Sequence, residues 1–446
     1  MKRWETMAVV SVAALGLLAP AAVHAAAIVG ANSIPGYTFA VPFKSGDHGI
    51  ADAEQSGDVN NLGQFCGDPN PGEREIAWDG TNQLVLSDSD VPIKAPDGAT
   101  INNGVWSPQG INNNGIVAWI ADIGDGGTGP HYVMAYDLAK KTYTIVARPT
   151  DPAPDGTKYE DQNAGPDGAR MVADINDLNQ VFWTTGHAAA DGMDYACIFM
   201  YDLNTKKGRL VAANGMKTTD GKTIISAWWP DTNNSSMCAM SASVVADTST
   251  WGIYLEDGKG NISPIIPAGS TIDGVKIGSA RWPRLNNNGD IVATVDVNGT
   301  DQGGGGESSD DVALAVYSAA DKSVHLIVKP GDKIPGGVYH GQESSRRTQG
   351  ITDSGQVFFL AVREDKASDG TSPADGCYRW DPKTNTIDAL VLGSTTVAGL
   401  GKVGGVTKNN NGCTGYHMGV SGDGHVLFDA VVDGVEGYLV AAPPKP

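Results

Sequence analysis

No two of the five cysteines in this 446-residue sequence are spaced as C-x-x-C, which removes the metal and thiol-redox sites that need such a pair. Charge is sparse, at 18% of residues, and basic residues are the scarcer sign, 31 against 51 acidic ones, for a net charge of −20. Nonspecific nucleic-acid binding draws on a surplus of Lys and Arg, and anionic membranes repel acidic chains. Neither is an expected partner. After the first two dozen residues no run approaches the roughly 18 apolar residues of a spanning helix, so no membrane anchor is expected. The G-x-x-x-x-G-K-[ST] phosphate loop, the G-x-S-x-G elbow, the H-E-x-x-H pair and the D-x-D-x-D-G calcium loop are all missing.

What is present is turn chemistry and enough apolar residues for a core: 58 Gly, 24 Pro and 41% hydrophobic residues. Lys2 and Arg3 precede an apolar run from Met7 to Val23, and Ala25, Ala26 and Ala27 come after it. This positive, apolar, small-residue order reads as a secretory signal over residues 1–27. The mature chain is therefore expected in the periplasm or outside the cell. In such an oxidising compartment two disulfides are expected, Cys197 with Cys238 and Cys377 with Cys413, with Cys66 free.

A short unit recurs along the chain: an apolar residue, a polar turn, then an apolar strand. Its copies start at Val59-Asn60-Asn61-Leu62-Gly63, Ile111-Asn112-Asn113-Asn114-Gly115 and Ile175-Asn176-Asp177-Leu178-Asn179. They continue at Leu285-Asn286-Asn287-Asn288-Gly289, Ile351-Thr352-Asp353-Ser354-Gly355 and Val420-Ser421-Gly422-Asp423-Gly424. A degenerate copy, Thr232-Asn233-Asn234-Ser235-Ser236, is placed by Trp229-Pro230 before it, as Trp282-Pro283 stands before Leu285. Asn, Asp and Gly accept positive φ, as two-residue turns between twisted strands require. Each unit also carries a second hairpin, for example Trp78-Asp79-Gly80 and Trp380-Asp381-Pro382, read as turns beside a core aromatic. Each unit thus supplies four strands, A to D, with the Asn turn between A and B. Seven units at about 60 residues each predict an all-β, seven-bladed propeller of four-stranded blades, one domain over residues 28–446. The last unit ends after its third strand, Gly437–Val440, whereas Tyr37–Val41 is a spare strand at the other end. The spare strand is expected to close the last blade and hide its edge.

The N-x-x-G-x-V-x-F unit and the G-Y-L-V-A-A-P tail resemble the exported bacterial NxxG tandem-repeat propeller proteins, a largely uncharacterised group. The resemblance spans residues from about 37 to 440 and implies the propeller fold. Because its motifs encode turns, it implies little about chemistry.

Chemistry is expected on the segments just upstream of the turns, which become strand A and line the channel of a propeller. Five of the ten arginines after residue 27 fall there: Arg170, Arg281, Arg284, Arg346 and Arg347. Glu54, Trp106, Trp228, Tyr416 and His417 share these segments. Arginine forks match carboxylate, sulfate or phosphate, and aromatic faces stack on sugar rings. The bland alternative is that the arginines pair with inter-blade carboxylates and the tryptophans pack. The first functional expectation is a noncatalytic, monomeric binder of an anionic small molecule or polysaccharide through Trp106, Arg170, Trp228, Arg281, Arg284, Arg346 and Arg347. The alternative is a lyase that breaks acidic polysaccharide by β-elimination. That chemistry needs a cation for the carboxylate, a base for the C5 proton and an acid for the leaving oxygen. Arg346, His340, Tyr416 and His417 supply these groups, with Tyr339 and Glu343 nearby. No cofactor is expected. Asp88 with Asp90, and Asp310 with Asp311, are the places where oxygen ligands would suit calcium. His48, His131, His187, His325 and His425 read as ordinary strand or loop residues.

Overall fold

The computed structural model describes residues 27–28, 34–44, 55–69, 74–88, 90–104, 110–124, 129–159, 172–188, 194–244, 250–297, 311–341, 348–366, 373–393, 395–397, 400–405 and 418–445. They form β-strands without a helix, arranged as seven small sheets around a central axis. Strand A of each blade is Gln55–Val59, Gly110–Ile111, Ala173–Ile175, Ser226–Thr232, Ala280–Leu285, Gln349–Ile351 and Gly419–Val420, for blades 1 to 7. Strands B, C and D succeed it outward in antiparallel order within each blade.

The expected closure is present. Thr38–Lys44 forms strand D of blade 7, antiparallel to Val435–Ala442, with Phe39 opposite Ala441 and Phe43 opposite Tyr438. Thr38–Lys44 thus covers the edge of strand C of the last blade, while Ala27–Ile28 pairs in parallel with the outer strand Thr386–Leu392 of blade 6.

Alternation along the strands builds the core. In blade 6, Phe358 packs toward blade 7 while Phe359 packs toward blade 5. Seven apolar layers result, one between each pair of neighbouring blades. Strands B are buried on both faces and read as near-continuous apolar runs, such as Ile116–Ile123.

The same alternation corrects the expected Cys197–Cys238 disulfide. Cys197 faces the layer between blades 2 and 3, whereas Cys238 faces the layer between blades 3 and 4. Ile198, one residue on, is the side chain that meets blade 4. Cys66, Cys197, Cys238 and Cys377 are buried, with no disulfide among the described residues; Cys413, the expected partner of Cys377, lies outside them.

The turns differ in detail from the expected two-residue type. In blade 1 the Asn60 N–H donates to the Gln64 carbonyl and the Gly63 N–H to the Asn60 carbonyl. Only the last turn residue has positive φ: Gly63 (70°), Gly115 (71°), Asn179 (62°), Ser236 (60°), Gly289 (89°), Gly355 (81°) and Gly424 (100°). This is a three-residue loop ending in a left-handed residue. Ser236 shows that the degenerate fourth copy keeps the geometry.

The core makes two stability effects measurable. Phe43 is 1% exposed in the layer between blades 7 and 1, so Phe43→Ala is expected to cost about 3–5 kcal/mol in urea denaturation. Glu75 is fully buried in blade 1 with neither carboxylate oxygen partnered among the described residues. Burial, reinforced by Asp68, pushes its carboxyl well above the ordinary range. The unfolded state therefore loses this proton first. Stability held below pH ~4.3 falls by about 1.4 kcal/mol per pH unit until the folded carboxyl ionises. Glu75→Gln should match the parent near pH 4 and exceed it near pH 8, as read from paired melting curves.

Candidate functional site: the central channel

The seven turns do more than reverse the chain. Asn60 Oδ1 accepts from the N–H groups of Leu62 and Gln64, capping its own turn, while its Nδ2 donates to the Asn112 carbonyl of blade 2 at 2.9 Å. Asn112, Asn176, Asn233 and Asn286 repeat the reach, donating to the carbonyls of Asn176, Asn233, Asn286 and Thr352 at 2.9, 2.9, 3.1 and 2.9 Å. The next residue adds a second ring. The N–H groups of Asn61, Asn113, Asp177, Asn234 and Asn287 donate to side-chain oxygens of Asn113, Asp177, Asn234, Asn287 and Asp353. Asp353 N–H goes on to the Gly422 carbonyl, and Asp423 N–H returns to Asn61 Oδ1 at 3.1 Å. The circle closes.

Two residues before the first turn position, each blade places a residue on the channel: Asp58, Gly110, Asp174, Asp231, Arg284, Gly350 and Gly419. The glycines sit where neighbours crowd in; a Cβ on Gly350 would lie 2.5 Å from Val420 Cβ. Arg284 Nη2 reaches across the channel to Asp58 Oδ1 at 3.1 Å, and its Nε pairs with Asp231 Oδ2 at 3.2 Å. The aspartates are fixed in turn: Asp174 accepts from Thr232 N–H and Asp231 from Leu285 N–H. Burial works against the Arg284 charge, and Asp231, Asp58 and Asp174 more than reverse it. Burial raises the Asp58 carboxyl, Arg284 pulls it back, and Asp231 adds to the rise. These groups and the turn residues line a polar cavity with about 630 Å³ of empty space, open solvent included. Five aspartates, Asp58, Asp174, Asp177, Asp231 and Asp353, line it against the one guanidinium of Arg284, which gives this end a negative floor.

Of the residues expected in the funnel, Arg284 lines this cavity and Trp228 and Arg281 do not. Trp228 is 4% exposed and gives its Nε1–H to Ser226 Oγ at 2.9 Å. Arg281 is 9% exposed and lies on the same strand as Arg284, beyond a bulge and farther from the turns. Glu54, Trp106, Arg170, Glu343, Arg346, Arg347, Tyr416 and His417 lie outside the described residues. Their flanks are informative. In blades 2, 6 and 7 strand B pairs with two inner strands, the short strand A and a second piece at Thr100–Gly104, Gly337–Gly341 or Gly401–Gly405. His340 is on one such piece, half-buried; its neighbour Tyr339 is fully buried in the layer between blades 5 and 6.

Asp88 is already held by Arg74 at 2.8 Å and accepts from the N–H groups of Asp90 and Val91. Asp310 lies outside the described residues. Among the described residues no three His, Cys, Asp or Glu side chains are placed to hold a metal ion. The wall residues that sequence reasoning passed over are Asp58, Asp174 and Asp231. Their signal was positional: each stands two before the first turn residue, in register with Arg284.

A seven-bladed β-propeller whose polar channel is floored at the turn end by an arginine–aspartate cluster is the class that these features define. Within it, the chain belongs to a family of unknown function, DUF7453, whose pattern matches residues 111–439. No curated protein sequence matches the chain. Among solved structures it is similar to an oligogalacturonate lyase from Vibrio parahaemolyticus (10% identity, TM-score 0.46, covering 94% of this chain and 98% of that one). It is also similar to a PL25 ulvan lyase (12%, 0.39, 76% and 80%) and to TolB from Acinetobacter baumannii (13%, 0.36, 76% and 64%). Identities this low attach to the path of the chain and not to its chemistry.

Arg284→Met tests the floor. Leaving the buried aspartates uncompensated should cost about 3–5 kcal/mol at pH 7. The deficit should shrink toward pH 4, because burial raises the Asp58 carboxyl and its protonation then relieves the repulsion; paired urea curves at the two pH values measure it.

Proposed function

We propose that the protein is an exported, monomeric, noncatalytic propeller that binds an anionic sugar or small anion in its channel, from the end opposite the turns. One observation carries the reading. Arg281 lies on the innermost strand of blade 5, farther from the turns than Arg284 and next in the chain to the stacked Trp282, and Trp106, Arg346, Arg347, Tyr416 and His417 stand in the sequence just before strands A of blades 2, 6 and 7. Arg170 shortly precedes another such strand, Ala173–Ile175. Arg281 adds positive charge on the wall of blade 5, and Trp228 belongs to the aromatic packing beside it. Arg284 is the floor, already balanced by Asp58 and Asp231. An anion entering from the far end meets the arginines before the aspartates, so attraction and a closed bottom are combined in one pocket. Guanidinium groups pair bidentately with a carboxylate or sulfate, and an aromatic wall covers a sugar ring. The signal over residues 1–27 supports export.

The lyase reading is favoured by His340, whose strand is part of the inner wall. There His340 or His417 would take the C5 proton, Tyr416 would protonate the leaving oxygen and Arg346 would neutralise the carboxylate.

Calorimetric titration with trigalacturonate, an alginate trimer and an ulvan oligosaccharide, with cellotriose as a neutral control, tests the first reading. Arg281→Ala should weaken the acidic ligand by about tenfold or more with little change in melting temperature. Absence of binding by the parent to every acidic probe would sink the proposal. The ultraviolet absorbance of an unsaturated uronate end, growing with time and lost in His417→Ala, would favour the lyase reading instead.

A further inference from the structure

Trp228, Trp229, Trp251 and Trp282 form one aromatic group on the walls of blades 4 and 5, and their exposures differ. Trp228, Trp251 and Trp282 are 4%, 7% and 2% exposed, whereas Trp229 is only half-buried. Strand A is the innermost strand, and Trp229 is the member of the group that stays partly open to solvent.

The backbone explains how Trp229 comes to be there. Ser226–Thr232 pairs with strand B at Trp228 opposite Ser241 and at Asp231 opposite Ala239, with a bulge between. Inside the bulge Trp229 has φ 54°, a left-handed conformation that is an outlier for a bulky residue, and the ring of Pro230 locks the next φ. Blade 5 repeats the device with Trp282 at φ 56° before Pro283. Trp282 is clamped from both sides: its N–H donates to Ser241 Oγ of blade 4 and its carbonyl accepts from Gln349 Nε2 of blade 6. Trp229 lies on this fixed ring, with centroids 3.9 Å apart and planes inclined by 26°. A strained, buttressed and partly exposed indole on a channel wall is arranged for contact with something in the channel. Arg281 stands one residue before Trp282 on strand A of blade 5.

We infer that Trp229, and not Trp228, is the stacking platform of the channel, and that with Arg281 it takes a uronate ring. The apolar face of the sugar lies on the indole, and the ring carboxylate turns to the guanidinium. This rests on the binding reading above and names the sugar class for that site. Trp228, closed over and bonded to Ser226, is the packing behind the platform.

Trigalacturonate is the probe, with calorimetry on the parent, Trp229→Ala, Trp229→Phe and Trp228→Phe. Trp229→Ala should lose about tenfold in affinity, Trp229→Phe should stay within about threefold of the parent, and Trp228→Phe within about twofold. Near-UV circular dichroism checks that each variant is folded. An arm without mutation uses the parent: oxidation of indoles by N-bromosuccinimide, mapped by peptide, should be slowed at Trp229 by trigalacturonate and not by cellotriose. If Arg281→Ala abolishes binding while Trp229→Ala binds as the parent does, or if the probe leaves oxidation of Trp229 unchanged, this inference is overturned and the binding reading stands. If the parent binds no trigalacturonate, the inference fails; if it also binds no other acidic probe, the binding reading fails with it.

Discussion

The asparagine side chain that opens five of the seven turns is the constraint on which the ring depends. A propeller has no covalent tie between neighbouring blades except the chain that leaves one and enters the next, and apolar layers are nondirectional. Each Asn amide supplies direction: its oxygen holds its own turn while its nitrogen donates to the same carbonyl position one blade on. Such groups are costly to strand when buried, which makes the arrangement mutually dependent. Where the series changes to Thr352 and Ser421, the hydroxyls still cap their own turns, accepting from Gln356 and His425 N–H. They are too short to reach the next blade. The junctions that lack the amide are those around blade 7, where the N-terminal strand supplies a different closure.

This ring also sets the electrostatics of the channel. Bringing seven A strands together places one residue from each on a narrow circle, and three of those are aspartates. Arg284 spans that circle, and its contact with Asp58 links blade 5 to blade 1 across the axis. The negative exterior implied by a net charge of −20 therefore does not decide the charge inside the channel, which at the turn end is set locally by Arg284 and the five aspartates that line the cavity with it. The floor separates an acidic, amide-rich turn end from a wall that carries Arg281 and the tryptophans.

The period, the four-strand unit, the turn positions and the N-terminal closure were legible in the residues, because each is a local demand. A turn needs a left-handed residue at its end, a buried strand needs an apolar run, and a three-stranded last blade needs a fourth strand. Ser236 shows the limit of the letters: the left-handed position there carries neither Gly nor Asn, and Trp-Pro before the turn was the usable signal. The funnel was legible only in part. Looking seven to nine residues back from the last turn position found Arg281, with Arg284 noted in the same segment, but passed over Asp58, Asp174 and Asp231, which stand five residues back, because only the register of the folded strands shows which offset faces the channel.

Sequence by itself determined that the chain would fold as seven repeated β units closed by its own N-terminus, since turn chemistry and period act over a few residues. Which side chains meet was decided only by the tertiary structure. Cys197 and Cys238 sit on neighbouring blades yet face different apolar layers, because one residue of strand alternation separates one face of a sheet from the other. Trp228 and Trp229 are adjacent letters, yet one is buried with its Nε1–H bonded to Ser226 and the other is only half-buried, because a bulge takes a single residue out of that alternation. Arg284 and Asp58 are 226 residues apart and meet only because the ring closes.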